Sequence, residues 1–316
     1  MGAGVLNQLS FKRESVWGTP VVPDKSLGIH FGDGIQTDND TQLLQAVKNQ
    51  LAKNYHAHIG ARTHEGDYEM DFLADYPGYF ILGALGSALS ALKSGETIVY
   101  EHTLTESENK PSFTIEQVVG ENVRRYAGCI FSAFKVSGKA GEVIMLNAPV
   151  KAKSQASATK ITPVYTIVRP FNYVDAVVKI GGTTINEVEN FELEYTNNLE
   201  LLHTVAGSND PSFSYVKGSE VNGKIEMYLD NATLAYLNDY LAKNERSIDI
   251  VLTGDAIGIA ANNKIEVSVP RAVFTSGETK LSEDYNLLTI EFTGIYDTAT
   301  TKLISVKITN LLANYN

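Results

Sequence analysis

The chain has 316 residues, of which 43% are apolar, and carries a formal net charge of −11. That length suits one large domain or two of ordinary size, and such acidity excludes a tight grip on nucleic acid, which runs on excess Lys and Arg. A single cysteine, Cys129, excludes an internal disulfide, and no apolar run is long enough to cross a bilayer.

The N-terminus lacks a charged start followed by a long apolar stretch, so no standard signal peptide is expected. Leu6 stands where a myristoylation pattern wants Ser or Thr. Residues 14–23 (ESVWGTPVVP) read as an extended, proline-punctuated arm anchored by Trp17. The acidic run 33–40 (DGIQTDND) lacks the regular Asp spacing and closing Glu of a calcium loop and reads as a flexible acidic loop. Residues 40–53 score as a helix locally, yet lie in a polar region and read equally well as a long loop.

Residues 64–75 (HEGDYEMDFLAD) place carboxylates at Glu65, Asp67, Glu69 and Asp71, with Tyr68, Met70 and Phe72 between them. Strand side chains alternate faces, so this period of two makes one face acidic and the other apolar. Successive carboxylates then sit roughly 6.6 Å apart, at a cost of about 0.6 kcal/mol per neighbouring pair in water and far more in a dry interior. The acidic face must therefore be wet. It reads as an ordinary solvated face, a cation site, or the wall of a wet channel carrying an anion.

A helix is expected over 75–93, whose longest apolar part, 79–92, is interrupted by two glycines. Alternating stretches rich in Val, Ile, Thr, Phe and Tyr predict strands at 97–105, 112–118, 176–180, 190–195, 264–269, 287–295 and 303–309. A second helix is expected over 230–244, with Leu234, Leu237 and Leu241 on one face and Asn231 as cap. The chain is thus mainly β.

An offset of 158 sets Leu43 and Leu44 on Leu201 and Leu202, Asn39 on Asn197 and Val47 on Val205. After a one-residue slip, 66–70 (GDYEM) falls on 223–227 (GKIEM) and Tyr79 on Tyr236, and each copy then enters its clearest helix. This predicts a duplicated domain, 1–158 and 159–316, joined through the polar, small-residue stretch 151–162.

His56, His58, His64 and Glu65 match the spacing of no closed metal-ligand set, so no metal and no cofactor are expected. There is no GxSxG, no Walker-type loop and no GxGxxG after a strand. Cys129 sits among apolar neighbours without an activating His, and the lone Trp17 offers little surface for stacking sugars. The chain reads as a non-enzyme.

The arm ESVWGTPVVP, followed in order by TIVYEHTLT, PSFTIEQ, GCIFSAFKVSGKAGEVI, NFELEYTNNLE and PRAVFTSGETKLSEDYNLLTIEFTGIYD, resembles the major tail tube proteins of long-tailed, siphovirus-type bacteriophages. Residues 32–53 and 311–316 match nothing in that pattern. The resemblance implies two tandem β-sandwich or barrel tube domains, each with a flanking α-helix. It also implies a virion protein, assembled in the host cytoplasm, whose rings stack into the channel that delivers double-stranded DNA. Glu65, Asp67, Glu69 and Asp71 would face that lumen, joined by Glu192, Glu194, Lys224 and Glu226; Tyr68, Met70, Phe72, Ile225, Met227 and Leu229 would pack behind. With six tube domains to a ring, two per chain imply a trimeric, pseudo-sixfold ring. Partners implied are the chain itself, a tape measure protein and the tail tip and tail terminator proteins, with no membrane. The alternative is a tail or capsid decoration protein, an adhesin-like binding module, which would cover its own sheet edges.

Overall fold

The computed structural model describes residues 7–30, 34–205, 207–280 and 285–315. The first half contains β1 (Gln8–Arg13), β2 (Lys25–Leu27), β3 (Gln36–Gln45), the long β4 (Asn54–Asp71), α1 (Gly78–Leu85), β5 (Gly86–Leu92), β6 (Tyr100–Glu106), β7 (Phe113–Val119), β8 (Asn122–Phe131), β9 (Ala133–Lys139), β10 (Met145–Lys151) and β11 (Ser154–Ser157). The second half supplies β12 (Ala176–Ile180), β13 (Thr183–Ile185), β14 (Val188–Thr196), β15 (Leu199–Leu202), β16 (Phe213–Val216), β17 (Glu220–Tyr228), α2 (Leu234–Ala242), β18 (Glu245–Ala256), β19 (Asn262–Lys280), β20 (Leu287–Gly294) and β21 (Ser305–Asn310). The protein is mainly β, and each expected strand falls within or overlaps an observed one.

All the strand pairs among the described residues are antiparallel. One run of strands passes through both halves in the order β3–β4–β10–β9–β14–β17–β20–β19. A second runs β5–β6–β21–β19–β18–β12–β13, using the N-terminal part of β19. A third, β2–β1–β7–β8–β11, belongs to the first half. Apolar residues alternate inward along each and merge into one contiguous core.

Helix α1 is shorter than the expected 75–93. Its eight residues are all buried, as suits a helix apolar on every side. Gly83 lets it sit against aromatic rings, since a Cβ there would lie 2.5 Å from Phe131. Phe80 stacks on Phe131 at 4.3 Å between ring centroids. The helix stops at Gly86, whose φ of 110° leaves the helical region, and 86–92 then pairs along β6 as a strand. The apolar residues of 86–92 satisfied both periods, and the glycine decides between them.

Helix α2 is also shorter than expected, and Asn231 does not cap it. The Asp230 carboxylate accepts from the N–H groups of Ala232 and Thr233, both at 2.8 Å. Leu234 and Leu241 face solvent; Tyr236, Leu237 and Tyr240 are the residues packed on the core. The stretch 40–53 is neither helix nor irregular loop: it completes β3 and turns into β4 as a long hairpin. The stretch 151–162 is held along its length. Lys151 ends β10, β11 pairs with β8, and Ile161 N–H reaches the buried Glu116 carboxylate at 3.2 Å.

The N-terminal arm is fixed by one buried carboxylate. Glu14 accepts from Gly18 N–H (2.9 Å), Ser112 Oγ (2.7 Å), Thr114 Oγ1 (2.8 Å) and Gly128 N–H (2.9 Å). Trp17 donates its indole N–H to Gly128 O at 3.1 Å, with Lys153 Nζ 4.3 Å from its ring centre. At the other terminus β21 pairs with β6, and Tyr315 is wholly buried under α1, donating to Asp75 O at 2.8 Å. Asp33, named in the acidic run, and Asn316 lie outside the described residues.

Candidate functional site

The run β3–β4–β10–β9–β14–β17–β20–β19 has one apolar and one wet face. Tyr68 and Met70 on β4, and Phe72 just past its end, are fully buried, while Glu65 and Asp67 are exposed and Glu69 and Asp71 half-exposed on the opposite side. On β17, Ile225 and Met227 are buried, and Leu229 just past its end is half-buried; Lys224 and Glu226 lie in the wet phase. On β14, Glu192 and Glu194 alternate with the buried Phe191, Leu193 and Tyr195. The β9–β14 ladder brings the β4 and β17 regions into one sheet, so the eight candidate residues share one continuous face.

Sequence reasoning named Lys224 but missed two further lysines on this face, Lys135 and Lys151. Lys135 on β9 bonds Glu192 across the β9–β14 joint at 2.8 Å, and Lys151 on β10 approaches Glu65 at 3.3 Å. Lys224 and Glu226 pair at 2.6 Å, which lowers the Glu226 carboxyl and raises the Lys224 ammonium from their ordinary values. His30 meets Asp71 at 3.0 Å. Asp67 and Glu69 form no ion pair among the described residues and lie opposite Pro149 and Asn147 in the β10 register. The signal for Lys135 and Lys151 was present, since each follows a buried residue in an alternating strand (Phe134, Val150).

The wet face continues into a finger. Beyond Thr63 the β3–β4 hairpin leaves the body, exposing Leu43, Leu44, Tyr55 and Ile59, with Val47 and Leu51 fully exposed at its turn. Residues 41–62 hold Lys48, Lys53 and Arg62 and no carboxylate, in a chain with 37 carboxylates. Lys48 Nζ sits 3.6 Å from the Tyr55 ring centre. His56 and His58 are exposed on this finger, whereas His64 at its root is fully buried and shares a 2.8 Å hydrogen bond with Thr37 Oγ1. Burial lowers the His64 pKa against the opposing pull of Asp210. The loop between β15 and β16 buttresses the finger's base, with Asn209 O accepting from Arg62 N–H at 2.8 Å.

Elsewhere, Cys129 is fully buried, and burial pushes its thiol well up. No helix among the described residues is long and apolar enough to cross a membrane.

The family model described as phage tail tube protein matches residues 4–294. That is nearly the whole chain, so the chain belongs to this family, which is structural and not enzymatic, and has its place in the phage tail. No curated protein matches the chain.

Proposed function

We propose that this phage tail tube protein forms rings of three chains, each contributing two tube units, 1–158 and 159–316, and that the rings stack into a channel for double-stranded DNA. One observation carries the reading: β9 of the first half pairs with β14 of the second, so a joint between two units already exists inside one chain. β3 runs in the same direction as β14, each antiparallel to its long neighbour, β4 or β17. The C-terminal part of β19 likewise runs in the same direction as β9. Among the described residues no strand pairs with the outer side of β3, or with that of β19 beyond Val273. Unpaired strand edges of opposite direction are templates for each other, and joining β19 of one chain to the β3 side of the next repeats the internal joint.

The run β3–β4–β10–β9–β14–β17–β20–β19 has eight strands per chain. Three chains give 24 strands, which at about 4.8 Å spacing close at a backbone diameter of at least ~37 Å. The wet face then lines the channel. Across the body of this face Lys135, Lys151 and Lys224 are held by carboxylates while Asp67 and Glu69 stay unpaired, so from Glu65 to Asp71 a polyanion meets no free cationic grip. A tape measure protein within the tube and tip and terminator proteins at its ends complete the assembly. The test is a negative-stain or cryogenic reconstruction of purified assemblies. Three copies per ring, with exact threefold and approximate sixfold symmetry, are expected; six copies of the 316-residue chain per ring would overturn the reading.

A further inference from the structure

A cavity of about 890 Å³ opens at the end of the β9–β14 joint, and both halves of the chain wall it. Glu106, Lys110 and Ile130 come from the first half, and Tyr195, Ser219 and Tyr296 from the second. Lys110 stands in the loop between β6 and β7, beside the end of α1, whose last carbonyls have no partner within the helix. Its Nζ donates to one of them, Leu85 O, at 2.8 Å, and lies 3.5 Å from Tyr195 Oη.

Lys110 is half-buried and forms no ion pair among the described residues. An ammonium so placed has lost water without gaining a carboxylate, and burial lowers its pKa to about 8 against the opposing pull of Glu106. At pH 7 about a tenth of such amines is neutral, roughly two hundred times the share of an ordinary lysine titrating near 10.4. Desolvated lysines of this kind are the ones that form imines with carbonyl compounds.

The walls decide which carbonyl compound fits. Glu106 accepts from Ser219 Oγ, Glu108 is exposed in the same loop as Lys110, and the other cation, Lys217, is held by Glu200. Two carboxylates therefore face an entering anion with no free cation besides Lys110 to offset them. Tyr195 Oη lies against Glu106 and Ser219, and burial keeps the phenol protonated. The exposed Tyr215 and Tyr296 complete a lining of hydroxyl groups, which suits a neutral ligand that carries hydroxyls of its own.

We propose that this cavity is a site of covalent modification, in which Lys110 captures a small hydroxyaldehyde, the open-chain form of a short sugar among them, as an imine. The nitrogen lone pair attacks the carbonyl carbon, and the carbonyl oxygen takes up a proton as the nitrogen gives one up. The carbinolamine then loses that oxygen as water and leaves the C=N bond. Tyr195 Oη and the Glu106 carboxylate are the groups placed to pass these protons. The adduct sits at the seam between the two halves of one chain, so the inference stands apart from the three-chain ring.

The test treats the purified protein with glycolaldehyde and cyanoborohydride, which delivers hydride to the imine carbon and fixes it as a secondary amine, and maps the label by peptide mass spectrometry. At pH 7 Lys110 is expected to label at least about tenfold faster than the exposed Lys53 and Lys280, with half its full rate reached near pH 8. Glyoxylate, an aldehyde of similar size that bears a carboxylate, should favour Lys110 over Lys53 less than glycolaldehyde does. Ser219→Tyr, at an exposed position of the lining, should fill the cavity and bring Lys110 down to the rate of the exposed lysines, with the unfolding midpoint read by Trp17 unchanged. Wild-type Lys110 that labels no faster than Lys53 is a cap on α1 only, and overturns the proposal. Undiminished labelling in folded Ser219→Tyr overturns the cavity as the site, and an equal preference for glyoxylate overturns the neutral hydroxyaldehyde as its ligand.

Discussion

Replacing Glu14 by Gln tests whether the N-terminal arm is held by one buried carboxylate. Oε1 accepts from Thr114 Oγ1 and Gly128 N–H, and Oε2 from Gly18 N–H and Ser112 Oγ. In the Glu14→Gln variant one oxygen becomes an NH₂. The hydroxyl on that side can turn and accept, but the backbone N–H cannot, so one buried donor is orphaned at about 1–3 kcal/mol, and the remaining bonds lose their charge assistance. The sum is roughly 2–4 kcal/mol, a large part of the ~5–15 kcal/mol that separates folded from unfolded domains. The assay reads itself out locally: Trp17 is the only tryptophan and is bonded to Gly128 beside the carboxylate. Urea titration followed by Trp17 fluorescence should show the Gln variant's midpoint well below the wild type's, with Glu14→Ala lower still. A Gln variant within ~0.5 kcal/mol of wild type would mean that the four hydrogen bonds do not hold the arm, and the reasoning would fail.

Other outcomes follow from the same contacts. Tyr315→Ala removes a fully buried ring and its bond to Asp75 O, and should cost about 3–5 kcal/mol in thermal or urea unfolding; an unchanged midpoint would show that the C-terminal segment is not part of the core. Burial lowers the pKa of His64 and of His102, whose ring also bonds Ser90 and Asn310. The fold holds both neutral while the unfolded chain protonates near 6.5, so their contribution is complete above about pH 6.5 and is lost as pH falls towards the folded values; urea midpoints flat from pH 7.5 to 5 would contradict this. Changing Glu65, Asp67, Glu69 and Asp71 together to Gln should leave folding and tubes intact, because wet like charges contribute little favourable energy. Changing them to Lys should give tubes that retain added DNA in a salt-dependent way and eject it poorly, and a Lys tube that retains none would remove the row from the channel wall.

The alternation of Glu65 to Phe72, and of the strands at 176–180, 190–195 and 264–269, was legible because a period of two is a local property: a side chain's face follows from its neighbours in sequence. The same rule assigned Tyr68, Met70, Ile225 and Met227 to the dry side and the carboxylates to the wet one. Local reasoning failed where two periods fit the same residues. At 86–92 the positive φ of Gly86 and the β6 edge decided for strand, and at 40–53 pairing with β4 overrode a helical pattern. It also failed for groups whose meaning lies in distant partners. Glu14 reads as an ordinary acid until Ser112, Thr114 and Gly128 converge on it, and Lys135 and Glu192 are 57 positions apart until the β9–β14 ladder makes them neighbours. Along β4, β14 and β17 composition and periodicity thus settled which residues are wet and which are dry, whereas on α2 Leu234 and Leu241 face solvent and the buried Glu14 and Glu116 gave no sign of it. Which strands lie side by side, and so whether the wet residues form one face with two open edges, depends on long-range backbone pairing that no short window of sequence contains.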